Sequence, residues 1–114
     1  ILGTREAAAQ TDAFMADIRG ERFEQAYNRM SPSYRANNDL STFTRAVREM
    51  EALTAHTAST VTMFRYESLE HPTAPLGGML QTPNGTIQFN IRLVKPGETW
   101  FIEALSVGGV DLGS

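Results

Sequence analysis

The sequence predicts an α+β fold in which three N-terminal helices pack on a curved four-stranded antiparallel sheet. Apolar residues recur at helical spacing up to about residue 53. From Thr57 onward, Thr, Val, Phe and Tyr become frequent and charged residues become sparse, as is typical of strands. Glycine and proline pairs divide this second half into segments of strand length. The predicted order is therefore helices first and strands second.

Two helices are predicted before residue 31. Thr4 is suited to cap the first, which runs to about Arg19, and Gly20 is suited to end it because glycine readily takes the left-handed conformation. The apolar face of this helix consists of Ala7, Thr11, Phe14, Met15 and Ile18. The second helix repeats its apolar residues at i, i+3, i+4 and i+7, namely Phe23, Ala26, Tyr27 and Met30.

A short helical turn and a third helix follow. Ser31 is predicted to cap the turn, with Pro32 at its first position, where the missing N–H costs nothing. Residues 37–39 predict a loop, and Asp39 or Ser41 then caps the third helix. The buried face of that helix is predicted to be Phe43, Ala46, Val47, Met50 and Leu53.

The first two strands are predicted at residues 58–69 and 76–82. The first is predicted to end near His71-Pro72, because proline cannot donate to a sheet ladder. Gly77 and Gly78 predict a bulge or a bend in the second strand. Asn84-Gly85 then predicts a tight hairpin, since both residues accept positive φ angles.

The third strand shows uninterrupted alternation, with one apolar and one polar face. The apolar set is Ile87, Phe89, Ile91 and Leu93, and the polar set is Gln88, Asn90 and Arg92. The last strand is predicted at residues 99–107, and its apolar run at 100–102 indicates a strand covered on both faces. The tail from Gly108 is predicted to be irregular, and residues 1–114 are predicted to form one domain.

Composition and charge exclude several classes of function. The 114 residues carry a net charge of −3 without a clustered basic stretch, so no nucleic-acid partner is predicted. Without cysteine there is no disulfide or thiolate chemistry. No apolar run approaches the ~20 residues that span a bilayer, so this segment is not expected to insert into a membrane. The first residue is Ile1, from which we expect a trimmed chain or a removed leader or anchor.

Three features occur in an order that resembles a known layout: the helix pair around Gly20, the SPSY turn at residues 31–34 and the ETWFI segment at residues 98–102. The chain resembles the nuclear transport factor two-like superfamily, a cystatin-like α+β roll whose cone-shaped sheet wraps around its first helix. The resemblance covers nearly the whole chain and is architectural. It implies similarity to small bacterial domains of unknown function, often tethered outside the cytoplasm by an anchor or signal, with a cytoplasmic location as the alternative.

Glu103 is the catalytic candidate that such a cone would offer, because a buried carboxylate could act as a base. One phase of the last strand turns Glu103 inward with Phe101, Leu105 and Val107. The other leaves Glu103 in solvent or at a subunit interface and turns a wholly apolar set inward. We expect this second phase, with Trp100, Ile102 and Ala104 inside.

Four aromatic residues are predicted to line a ligand pocket if the cone holds one: Tyr27, Tyr34, Phe89 and Trp100. The alternative is structural packing, in which each polar tip finds a partner.

His56 and His71 are predicted to be exposed loop residues, and no acid lies at ligand spacing from them, so neither a metal site nor a cofactor is predicted. Asp12 and Asp17 do not share a helix face and are predicted to be solvated.

The polar set Gln88, Asn90 and Arg92 is predicted to be either a solvated sheet face or the interface of a homodimer.

No motif in the sequence identifies an activity. The resemblance does not identify one either, because this superfamily includes isomerases, dehydratases, cyclases, transport adaptors and accessory domains. The first hypothesis is a non-catalytic binding or accessory domain with a small apolar ligand or another partner. The alternative is a cone-pocket enzyme acting on an apolar molecule, with Glu103 as base and Tyr27 or Tyr34 as donor.

Overall fold

Five helices precede a five-stranded antiparallel sheet in the computed structural model, which describes residues 2–64 and 72–113. The helices are α1 (Leu2–Arg19), α2 (Phe23–Asn28), α3 (Pro32–Asn37), α4 (Leu40–Glu49) and α5 (Glu51–Ala55). The strands are β1 (Ala58–Phe64), β2 (Thr73–Thr82), β3 (Gly85–Val94), β4 (Phe101–Val107) and β5 (Val110–Asp111). The α+β class and the order of helices and strands are confirmed.

The predicted counts of three helices and four strands were wrong. The turn after Ser31 is long enough to form α3, and a break at Met50 divides the predicted third helix into α4 and α5. The tail, predicted to be irregular, turns back through Gly108 and Gly109, both at positive φ, and pairs with β4 as β5. The predicted part of the first strand beyond Phe64 lies outside the described residues.

The turn between α1 and α2 differs from the prediction for Gly20. Glu21, not Gly20, takes the left-handed conformation, with φ of 56°. A Cβ atom at Gly20 would lie 2.1 Å from the guanidinium Nη1 of Arg22. Arg22 therefore folds over Gly20 toward α1, and a side chain at position 20 would displace only the far end of this flexible arginine.

The predicted caps Ser31 and Asp39 are confirmed, whereas the prediction that Thr4 caps the first helix was wrong, because α1 begins at Leu2 and Thr4 lies inside it. The Ser31 hydroxyl accepts a hydrogen bond from the backbone N–H of Tyr34 at 3.1 Å. The Asp39 carboxylate accepts one from the N–H of Thr42 at 2.8 Å, and this bond lowers the pKa of Asp39. Each cap satisfies a donor that the first helical turn would otherwise leave without a partner.

The strands follow one another across the sheet in the order β1-β2-β3-β4-β5, so each connection joins neighbours. Thr82 pairs with Gly85 across the turn at Pro83 and Asn84, which confirms the predicted hairpin, although only Gly85 and not Asn84 takes the predicted positive φ. The irregularity predicted in β2 lies instead in β1, between Val61 and Met63, opposite the two glycines. A Cβ atom at Gly78 would lie 2.6 Å from the ring of Phe89, so this glycine makes room for a core aromatic residue.

A second bulge in β4 changes the phase of that strand. Arg92 pairs with Ala104 and Leu93 pairs with Ile102, so Glu103 is an additional residue between two regular pairs. As a result Ile102 points inward on one side of the bulge, and Leu105 and Val107 point inward on the other. Both phases predicted for the strand were therefore right over only part of its length, and Ala104 is exposed.

The core lies between the helices and the inner face of the sheet. Helix α1 contributes Phe14, Met15 and Ile18, and β3 contributes Phe89, Ile91 and Leu93. Among the described residues no helix covers the opposite face of the sheet, and Gln88, Asn90 and Arg92 on that face are exposed as predicted.

Candidate functional site

The outer face of the sheet carries a row of residues that crosses all five strands. Pairing places Met63, Gly77, Asn90, Ser106 and Asp111 side by side in that row. Gly77 is buried in this row, and an added Cβ atom there would lie 3.4 Å from the Asn90 amide oxygen and 3.6 Å from the Met63 methyl group, so these two side chains close over it. The row therefore places amide, hydroxyl and carboxylate groups next to one another across the sheet.

Four members of this row border a groove of about 540 Å³, whose lining includes Met63, Pro75, Asn90, Arg92, Glu103, Ser106 and Asp111. We call it the outer groove. Met63 is 60% exposed at one side of it, which is unusual for a large apolar residue. The groove thus combines an apolar wall with polar groups that can fix the orientation of a ligand.

Arg92 and Glu103 form the charged part of the outer groove. The Nε atom of Arg92 lies 3.8 Å from Oε1 of Glu103, and the two side chains are 57% and 39% exposed. At this distance and exposure the ion pair is weak, worth about 0–1 kcal/mol. Both groups can therefore exchange this contact for a ligand at little cost.

A second groove, of about 390 Å³, begins on the other side of Glu103. Its lining includes Ser31, Pro32, Val94 and Lys95 together with Glu103 itself. The Lys95 ammonium contacts Glu6 at 3.8 Å and lies 5.8 Å from the centre of the Trp100 ring. Glu103 thus lies at the junction of two grooves, one lined by Arg92 and the other by Lys95.

The interior between the helices and the sheet is filled by side chains. Phe14, Met15, Phe89 and Ile102 are all fully buried in one hydrophobic cluster. Protein interiors are packed as densely as organic crystals, so a cluster of this kind holds no ligand without rearrangement. The structure therefore directs the search for a site from the interior to the outer face.

Tyr27 and Tyr34, two of the four predicted pocket residues, both pack against Phe43. Their ring centres lie 5.6 Å and 6.1 Å from that of Phe43. The Tyr27 hydroxyl donates to the carbonyl of Asn38 at 2.6 Å, so its polar tip has a structural partner. Burial, followed by the neighbouring Tyr27, raises the pKa of Tyr34 above its ordinary value.

Phe89 and Trp100, the other two predicted pocket residues, lie elsewhere. Phe89 is fully buried over Gly78 in the sheet. Trp100 is 3% exposed, and its ring borders a small cavity of about 160 Å³ with Glu6, Gln10 and Glu98. The structure therefore brings together Tyr27 and Tyr34, through Phe43, and a ligand-binding role for the four stays a prediction.

Glu103, the catalytic candidate, lies on the outer face because it is the additional residue of the β4 bulge. A base inside the cone would need burial among apolar groups, and Glu103 is 39% exposed beside a guanidinium. The cone-enzyme hypothesis thus lacks its base at the position it requires. Sequence reasoning could not locate the bulge, since no glycine or proline marks it.

Asp17 is a buried carboxylate that sequence reasoning wrongly assigned to the solvated surface. Its side chain is 8% exposed and accepts from the Nε atoms of Arg22 at 3.0 Å and Arg29 at 2.8 Å. Arg29 also donates to the Gln10 side-chain oxygen at 2.6 Å, and Gln10 donates to the Trp100 carbonyl at 2.8 Å. This network joins α1 to α2 and to the start of β4, which is a structural role.

His56, predicted to be an exposed loop residue, is 3% exposed. Its Nδ1 contacts the Leu53 carbonyl, which can only accept, so Nδ1 carries the hydrogen and Nε2 accepts from Arg19 at 3.0 Å. Burial, and to a lesser extent the Arg19 guanidinium, lower the pKa of His56 against the opposing effect of the Leu53 carbonyl. His71 lies outside the described residues.

Two absences concern only the part of the chain that the structure describes. Within residues 2–64 and 72–113, no three histidine or acidic side chains come together in a way that could hold a metal ion. Over the same residues no helix has both the length and the apolar character needed to cross a membrane.

No protein-family model and no curated protein sequence matches this chain. The site is therefore defined by its own geometry.

Proposed function

We propose that this chain is a non-catalytic binding or accessory domain whose binding surface is the outer groove. The observation that carries the proposal is the contrast between a filled interior and an open outer face with exposed Arg92 and Glu103. A binding surface needs accessible polar groups beside apolar area, and the outer groove offers both. A fold of the nuclear transport factor two-like type, in a tethered or exported bacterial protein, remains part of the proposal.

The chemistry of the outer groove favours a ligand or partner surface that carries both hydrogen-bond donors and acceptors. Arg92 can donate in a forked geometry to a carboxylate, and Asp111 and Glu103 can accept from amines, amides or hydroxyls. Met63 and Pro75 supply apolar contact beside these groups. A second copy of the chain meets these requirements, as does a small molecule of mixed polarity.

Amide-resolved NMR on the labelled protein tests the proposal with acetate, N-methylguanidinium and a set of small neutral fragments as probes. We expect the shift changes to cluster at Asn90, Arg92 and Ser106, and to weaken in Arg92→Ala. Arg45→Ala on α4 is the matched control, because it removes an exposed guanidinium remote in sequence from the sheet.

Two results would contradict the proposal. Shift changes confined to the surroundings of Phe14 and Phe89 would mean that the interior opens, which would restore the cone-pocket enzyme as the better hypothesis. Equal changes in Arg92→Ala and in Arg45→Ala would mean that the outer groove is not a specific surface.

A further inference from the structure

The two edges of the sheet are protected to very different degrees. At one edge, β5 is two residues long and ends in a charged residue, Asp111. Beyond the end of β5, the side of β4 that faces away from β3 is covered by the chain at Arg29 and Ser31. Ile102 donates a backbone hydrogen bond to Arg29 and accepts one from Ser31. Short length, charge and covering chain are the usual means by which proteins prevent pairing at a sheet edge.

The opposite edge, β1, has little of this protection. β1 is seven residues long and pairs with β2 on one side, and among the described residues no strand covers its other side. The sequence from Thr57 to Phe64 contains no charged residue and no proline. Thr60, Thr62 and Met63 are exposed along it. Its one irregularity is the bulge at Thr62.

We propose that β1 pairs antiparallel with β1 of a second copy of this chain, about a two-fold axis at Thr60. Ser59 and Val61 face the inner side, since their partners Leu80 and Gly78 lie against the core, and Thr60 faces the outer side. Residues directly opposite in an antiparallel pair share a face. A register centred on Thr60 sets the two Thr60 residues opposite each other and each Ser59 opposite the partner copy's Val61.

A second copy is the occupant that fits this edge because the strand is neutral and self-complementary. Like charges directly opposite each other destabilise a strand pair, whereas Thr–Thr pairs are favourable. The residues of β1 itself carry no charge, and the guanidinium that donates to Ser59 at 3.2 Å belongs to Arg19 at the end of α1. Only one edge of the described sheet is bare, so pairing joins two chains and then stops. An isologous contact of this kind closes as a dimer and does not grow into a filament.

This inference goes beyond the proposed function and does not depend on it. Edge pairing extends the sheet sideways and leaves the outer groove of each copy open, with Arg92 and Glu103 accessible. It also differs from a dimer formed through the polar sheet face, which would cover those residues.

Cysteine trapping together with sedimentation velocity tests the pairing. Across the two-fold axis the Thr60 Cα atoms would lie about 4.5–5.5 Å apart, within the ~4.4–6.8 Å range of disulfides. The chain contains no cysteine, so a single introduced cysteine can form a disulfide only with the same residue of another copy. We expect wild type to sediment at twice the monomer mass and oxidised Thr60→Cys to form a covalent dimer. Thr99→Cys, exposed in the loop before β4, is the control and should stay largely monomeric on a denaturing gel.

A charged side chain introduced at Thr60 provides the second measurement. Thr60→Lys places two ammonium groups opposite each other and should raise the dissociation constant of the dimer about tenfold or more. Two control variants should leave the dissociation constant unchanged: Thr60→Val, which keeps the strand neutral, and Thr99→Lys, which places the charge outside the strand. Two results would overturn the inference: a wild-type protein that stays monomeric at every concentration, or a dimer that neither yields the Thr60→Cys cross-link nor responds to Thr60→Lys. A monomer would leave the outer-groove proposal intact, because the NMR test does not require association.

Discussion

The two faces of the sheet use the same strands for different purposes. On β3 the side chains of Phe89, Ile91 and Leu93 are buried, and those between them are exposed. Charged groups divide in the same way. Asp17, on the helical side, binds Arg29 at 2.8 Å and is nearly buried, whereas Glu103 on the outer face lies 3.8 Å from Arg92 and is partly exposed. The inner side provides stability, and the outer side keeps polar groups available.

The largest difference between the faces should appear at two adjacent residues of β3. We expect Phe89→Ala to lower the free energy of unfolding by about 3–5 kcal/mol, because it leaves a cavity in a packed core. Asn90→Ala should change it by less than about 0.5 kcal/mol, since the side chain is exposed. Urea unfolding of both variants measures the contrast. A small effect at Phe89 would mean that its ring borders open space, as the predicted ligand pocket requires.

Asp17 should show the next largest effect. Asp17→Asn leaves Arg22 and Arg29 facing an uncharged group, and we expect a loss of roughly 2–3 kcal/mol. Asp12→Asn on the same helix is the control, because Asp12 is exposed and should cost less than about 0.5 kcal/mol. Equal midpoints of urea unfolding for the two variants would remove the structural role given to the Asp17 network.

The smallest effect should be the pH dependence that His56 gives to the free energy of unfolding, and it should appear only at mildly acidic pH. Because the folded-state pKa of His56 lies below the ordinary value of about 6.5, the unfolded chain binds more protons between the two values. Stability from this residue is therefore complete above pH ~6.5 and falls as the pH drops below it, by at most about 1.4 kcal/mol per pH unit. Urea unfolding of wild type and of His56→Gln from pH 7.5 down to pH 5 measures how far the free energy of unfolding falls with pH in each protein.

The His56 prediction also has a direct check. The ring resonances of His56 should titrate at a lower pH than those of a histidine in an unfolded peptide, and Arg19→Met should raise the titration midpoint. Identical pH profiles for wild type and His56→Gln would show that this imidazole is not held neutral by its surroundings.

Much of the fold follows from local signals in the sequence. Ser31 and Asp39 cap helices because their side chains reach backbone donors three residues ahead, and this spacing is visible in the sequence. The alternation from Ile87 to Leu93 separates the two faces of β3 for the same reason, since strand geometry has a period of two. These features need no knowledge of the rest of the chain.

The buried polar groups and the β4 bulge that positions Glu103 depend on distant parts of the chain. His56 is buried because Arg19, 37 residues earlier, lies over it, and Asp17 is buried because Arg29 closes on it from the next helix. The β4 bulge exists because the register with β3 changes between Arg92 and Leu93. None of these contacts has a signature within a short window, which is why the sequence predicted the elements and missed the burial of these polar groups.

The bulge in β4 has an evolutionary consequence. Because Ala104 and Ile102 pair with consecutive residues of β3, a chain lacking the codon for Glu103 would keep both pairs and the inward direction of Leu105 and Val107. Gain or loss of that single codon would alter the carboxylate between the two grooves without repacking the interior. Insertion or deletion at this one position is therefore a route by which the outer face can change over generations while the hydrophobic core stays the same.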